Sequence, residues 1–199
     1  MIRKHSVIFV PGLSGTTSHI ANMTEHWRNH GLYPIMHPVP WRDRQTDFRL
    51  ILESLIDHID ECVARGEKVS IVGTSAGGSA ALNAFIDRHQ TIHKVVLVCA
   101  RLQVGPTTGF RSFTSKTATS QSFAESVFRA ESMTPNLGEN ERRRIMTVRS
   151  LFGDELVPAG TSTIEGARNI TVLMPEHMLS IAASLTLFSS PLIRFLNDK

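Results

Sequence analysis

The pentapeptide Gly73-Thr74-Ser75-Ala76-Gly77 sets a serine between two glycines in the pattern G-x-S-x-G. It directly follows the apolar run Val69-Ser70-Ile71-Val72 and directly precedes an alanine-rich segment, so Ser75 falls where a strand turns into a helix. A serine on such a sharp, strained turn projects its hydroxyl from the carboxyl end of a sheet, where it can act as a nucleophile. Side chains two residues to either side would strike the neighbouring strand and helix, and glycines at 73 and 77 remove those collisions. Gly78 lets the helix approach the sheet closely, and a helix amino terminus aimed at Ser75 favours negative charge developing there. By composition alone the pentapeptide would arise by chance in very roughly one chain in ten of this length. Its placement between a strand and a helix is what raises it above that rate. The competing use of Ser75 is as the cap of an ordinary strand-to-helix turn.

The elements that must hold this serine alternate between short β-branched runs and longer helical periods, the pattern of βα units around a mainly parallel sheet. Strands are predicted over 6–10, 33–37, 68–73, 93–100, 147–152 and 169–174, about six in all. Between them, Ile20, Met23 and Trp27 share a helical face over 18–30, with Gly31 as a stop. Phe48, Ile51, Leu52, Leu55, Ile56, Ile59 and Val63 repeat at three and four over 46–65, ended by Gly66. A helix is expected over 75–88 and a closing one over 177–197. The stretch 101–135 breaks the rhythm: it is rich in Ser and Thr and carries Phe110, Phe113, Phe123 and Phe128. These aromatics make it an insertion and not a disordered linker.

At 199 residues the chain fits a single domain spanning 1–199, and 41% hydrophobic with 20% charged residues is the balance of a folded globular protein. The formal charge of +3 serves solubility. The basic cluster Arg142-Arg143-Arg144 follows Glu139 and Glu141 and reads as a solvated helix face. It lacks interleaved aromatics, so no nucleic-acid partner is expected. Cys62 and Cys99 sit in apolar patterns as small core residues, without metal-ligand spacing or a disulfide framework. No metal and no cofactor are expected, and Gly12-Leu13-Ser14-Gly15 has neither dinucleotide nor phosphate-loop spacing. The apolar run 7–10 is too short for a signal-peptide core, and no segment approaches the ~20 apolar residues of a membrane span. Cytoplasmic residence is the expectation.

With the elbow at 73–77 in this frame, the chain resembles the α/β-hydrolase family, in size its small, nearly capless lipase and esterase members. The likeness runs from Val7 to the closing helix, interrupted by 101–135. Family members usually begin with two further strands, so the resemblance implies a trimmed α/β-hydrolase fold. It also implies a triad in the chain order serine, acid, histidine. Of nine histidines only His89, His93 and His177 follow Ser75. His89 ends the helix leaving the nucleophile and His93 begins a strand at the far edge, which leaves His177, after the strand at 169–174 and the turn Pro175-Glu176. For the acid, Gly153-Asp154-Glu155-Leu156-Val157-Pro158 follows the penultimate strand and is similar to the family's G-D-x-x-V-P signature. It points to Asp154, with Glu155 as runner-up and Glu176 too close to His177 in the turn.

The resemblance further implies an oxyanion hole of two backbone amides, one from Ala76 after the nucleophile. The other comes from the loop after the first strand. There the family commonly has His-Gly before the donor residue and this chain has Pro11-Gly12, which indicates Leu13, with Ser14 second. The activity implied is that of a cofactor-free serine hydrolase, carboxylesterase-like, acting on a small-molecule carboxylic ester or thioester through an acyl-enzyme. The alternatives are a non-catalytic hydrolase-fold binding protein or a small serine peptidase. Because the family often hangs a lid after the strand that ends near Ala100, 101–135 is expected to be a lid or cap. Phe110, Phe113, Phe123 and Phe128 would then wall the substrate pocket, the rival reading being a surface loop whose aromatics pack on the core.

Overall fold

The computed structural model describes residues 3–14, 17–43, 46–106, 109, 112–151, 154 and 156–198, apart from the side chains of Lys116 and Ala159. Six strands, β1 (His5–Val10), β2 (Leu32–Met36), β3 (Lys68–Thr74), β4 (Ile92–Val98), β5 (Ile145–Ser150) and β6 (Arg168–Val172), join in one sheet of order β2-β1-β3-β4-β5-β6. Every neighbouring pair is parallel. The central strands are apolar without alternation because helices cover both faces, and all six residues of β1 are buried.

The helices are α1 (Thr17–Thr24), α2 (Phe48–Ala64), α3 (Ala76–Arg88), α4 (Phe113–Thr117), α5 (Gln121–Met133), α6 (Glu139–Arg142), α7 (His177–Leu185) and α8 (Ser190–Asn197). Alternate strand residues sort them into two cores. Ile8 and Val10 face a cluster with Leu55 of α2, Leu82 of α3 and Val127 of α5. Val7 and Phe9 face a cluster with Ile20 of α1, Ile181 and Leu185 of α7, and Leu192 of α8. From β1 the chain passes to β2 on one side, and from β3 to β4 on the other, so β1 and β3 flank the point where the winding reverses. In open α/β sheets the crevice at the carboxyl ends of such strands is where ligands bind.

Two expectations need correction. The predicted helix over 18–30 is α-helical only to Thr24 and continues as a 3-10 turn over Glu25–His30, closed by Gly31 at φ 76°. The single closing helix over 177–197 is two helices bent by 55°. Pro191 opens α8, and a proline has no N–H to carry the α7 ladder onward. The insertion 101–135 contains the regular 13-residue α5, which packs on α3: Ser126 Oγ lies 2.6 Å from Ser79 Oγ, and Asn83 Nδ2 donates to the Ser126 carbonyl at 2.8 Å. Among the described residues no single helix is long and apolar enough to cross a membrane.

Candidate active site

Ser75 begins where β3 ends. Its backbone N–H donates to the Val98 carbonyl of β4 at 2.9 Å, and its backbone stands at φ 53°, ψ −124°, a conformation rare outside glycine. The glycines around it are needed for want of space. A Cβ at Gly73 would lie 2.4 Å from the Gly77 carbonyl oxygen, and one at Gly77 only 2.0 Å from the Val10 carbonyl oxygen. At Gly78 it would meet Ala100 Cβ at 2.2 Å, and at Gly12 it would meet Ser75 Cβ at 2.7 Å. The backbone of β1, its following loop and the start of α3 are thus pressed together around one serine.

Asp154 and His177 arrive from beyond the carboxyl ends of β5 and β6. His177 is the first residue of α7, 1% exposed, and its Nε2 lies 2.9 Å from Ser75 Oγ. Its Nδ1 lies 2.6 Å from Asp154 Oδ2. Asp154 is itself held, because its Oδ1 accepts the amides of Leu156 at 2.8 Å and Val157 at 2.9 Å. Two backbone donors on one oxygen leave the other directed at the imidazole. Glu176 is occupied elsewhere: as the cap of α7, its carboxylate accepts the amides of Met178 and Leu179 at 3.0 and 2.8 Å. Glu155 lies outside the described residues.

For the two expected oxyanion donors, Ala76 is the first residue of α3, where an amide has no intrahelical acceptor. Leu13 follows Gly12 in the turn after β1 and lines the cavity in front of Ser75. That cavity, about 600 Å³, is bounded by Leu13, Ile20 and Met23 on the α1 side and Leu156, Met178 and Leu179 on the other.

Of the four phenylalanines expected to wall it, the three among the described residues, Phe113, Phe123 and Phe128, do not. Phe123 is buried in the core on the opposite face of the sheet from α1 and α7. Phe113 is buried there too, under the Arg101 guanidinium at 5.2 Å, and the half-exposed Phe128 packs on Phe113 at 4.9 Å between ring centres. Phe110 lies outside the described residues. The pocket residues were hidden because Ile20 and Met23 read equally well as core, and apolar residues at 178 and 179 read as the start of an ordinary helix.

Cys99 is buried in the core, as its apolar run suggested, and it also borders the site. It follows β4 at φ 49°, and its thiol, an Asp154 carboxylate oxygen and a His177 ring nitrogen all lie within 4.8 Å of one another. A metal ion held there would displace the contact between Asp154 and His177, so this cluster belongs to the same site. A second cavity, about 260 Å³ and of mixed polarity, lies between Trp41-Arg42 and the start of α5 and includes none of these residues.

No family profile matches the sequence, and no curated protein matches it. Solved structures do. An α/β superfamily hydrolase from Oenococcus oeni PSU-1 is 16% identical with a TM-score of 0.70, over 98% of this chain and 93% of that one. A monoacylglycerol lipase from Paleococcus ferrophilus is 14% identical with a TM-score of 0.67, over 96% and 93%. A soluble variant of monoglyceride lipase from Saccharomyces cerevisiae, solved with a substrate analogue, is 12% identical with a TM-score of 0.63, over 98% and 86%. With a serine elbow at the point where a six-stranded parallel sheet reverses its winding, and with these folds matching nearly its whole length, this chain has the α/β-hydrolase fold.

Proposed function

We propose that the protein is a serine hydrolase of carboxylic esters or thioesters, with Ser75 as nucleophile, His177 as general base and acid, and Asp154 as the residue that orients and stabilises the imidazole. The observation that carries this reading is the hydrogen-bonded chain Ser75–His177–Asp154, at 2.9 and 2.6 Å, opening on a largely apolar cavity. Similar folds bearing lipase names support ester hydrolysis as the class.

His177 Nε2 takes the Ser75 hydroxyl proton as Oγ attacks the carbonyl carbon, and the carbonyl electron pair moves onto oxygen. The amides of Leu13 and Ala76 hold that oxyanion, their directions set before substrate arrives. Collapse expels the alcohol or thiol, which receives the proton from His177. Water then repeats the attack on the acyl-enzyme with the same base, and the acid is released. Asp154 accepts a hydrogen bond from His177 Nδ1–H, holding the ring in place and favouring the charged imidazolium without taking its proton.

A fluorophosphonate probe tests this directly. One probe should attach to the wild-type protein, at Ser75, and a panel of chromogenic esters run beside acyl-CoA thioesters should show turnover in one class or both. A folded protein that neither labels nor turns over any member would be a binding module instead.

A further inference from the structure

Trp41 is 2% exposed and lies in the loop between β2 and α2. Its indole N–H donates to the carbonyl of Pro11 at 2.9 Å, and its ring meets Phe123 of α5 edge-on, 6.0 Å between centres. Pro11 is the first residue beyond β1, two before Leu13. The same carbonyl oxygen would lie 2.7 Å from a Cβ at Gly77, and the next residue, Gly12, is packed against Ser75. So α3 supports the exit of β1 from one side, Ser75 abuts it, and Trp41 fixes the plane of its first peptide.

A backbone amide has no rotamer of its own; its direction follows from the peptides before it. We propose that Trp41 is a positioning residue for the loop carrying the Leu13 amide, and that Phe123 braces it. The proposal rests on the Ser75 acyl-transfer reading. It gives the 101–135 segment a part in the reaction from beneath the oxyanion loop, on the face away from the substrate cavity. A misplacement of about 1 Å in such a donor is enough to cost up to ~100-fold in rate.

The test compares the wild type with Trp41→Phe, which keeps a ring and removes the N–H, and with Phe123→Leu. Turnover of a p-nitrophenyl ester is measured beside inhibition by a trifluoromethyl ketone, whose adduct with serine carries the negative oxygen. Trp41→Phe should lower kcat by about 10- to 100-fold with KM within about twofold, and weaken the ketone by the same factor as kcat/KM. Phe123→Leu should move both in the same direction by less. A Trp41→Phe protein with wild-type kcat and ketone affinity, whatever its melting temperature, would overturn the proposal. Should Trp41→Phe not fold, a folded Phe123→Leu with unchanged kcat and ketone affinity would overturn it equally. A wild-type protein that neither labels with fluorophosphonate nor turns over esters would remove the underlying reading before any variant is made, and this proposal with it.

Discussion

At Ser75 a non-glycine residue holds a backbone conformation that costs on the order of 1–3 kcal/mol, and it persists because four glycines and two carbonyls leave the chain no other path. Replacing that side chain removes a hydroxyl and little packing. Ser75→Ala should therefore stay folded while ester turnover falls by several orders of magnitude. His177→Ala should lose nearly as much, and the double variant should be little worse than either single one, because the two residues act as one unit. Losses that add in steady-state assays would mean they do not. Asp154→Asn should also lose a large factor, since an amide cannot stabilise the imidazolium and favours the wrong tautomer. Ser75 was legible in the sequence because a strand-to-helix serine needs glycines at fixed offsets. The place of His177 beside Ser75 was legible because chain order left only His89, His93 and His177, and the positions of the first two along their helix and strand turn them away from the elbow. The place of Cys99 beside this pair was not, because a left-handed backbone at a cysteine leaves no mark on residue type.

The strands were the most legible elements, since a buried parallel strand must be a short apolar run between turn residues; the runs read over 68–73 and 93–100 are the strands Lys68–Thr74 and Ile92–Val98, with ends shifted by one or two residues. The segment 101–135 was misread for a physical reason. Four phenylalanines report that something is buried, but not on which face of the sheet. The buried stripe of α5 includes Ser122 and Ser126 beside Phe123 and Val127, so its helical period is masked by polar residues that fit against α3 because they are small. The cavity in front of Ser75 lies instead between α1 and α7, and under the proposed function these two helices should set acyl-length preference. Each methylene buried there is worth about 0.8 kcal/mol, close to fourfold in kcat/KM. Ala182→Phe, on the α7 wall, should reduce kcat/KM for long-chain esters by tenfold or more while leaving acetate and butyrate esters nearly untouched. An equal loss across all chain lengths would place the acyl group elsewhere.

The far end of the sheet holds a second buried polar cluster with no part in the chemistry. His5 of β1 is 6% exposed, with Nε2 2.8 Å from Ser70 Oγ and its ring edge-on to His93 at 5.6 Å. Lys94 of β4 donates to the Phe195 and Asp198 carbonyls at 2.7 and 3.0 Å, tying the end of α8 to the sheet. Burial, reinforced by the charges of Lys68, His93 and Lys94 and opposed by Asn197, lowers His5 to about 3. Burial with Lys68 and Lys94, opposed by the backbone at Asp198 and Leu196, lowers His93 to about 4. Both folded values lie below the unfolded 6.5, so as pH falls the unfolded chain takes up these protons first. Stability is full above about pH 6.5 and is lost as pH falls toward 4 and 3, by at most about 1.4 kcal/mol per pH unit for His5. Glu67 acts in a lower window. Burial raises its carboxyl, but hydrogen bonds from Ser6, Arg65 and Lys4 outweigh that and bring it to about 2, so its contribution is lost only below about 4.5. His37, lowered to about 4 by burial and by His58, adds to the histidine window. Urea midpoints measured from pH 7.5 to 4.5 should therefore fall from about pH 6.5 onward, before any carboxylate in this network titrates. His5→Gln, which keeps a hydrogen-bonding partner for Ser70 and removes the titration, should flatten the upper part of that fall. A wild-type midpoint constant down to pH 5, or a His5→Gln profile parallel to the wild type, would show that this end of the sheet does not govern acid stability.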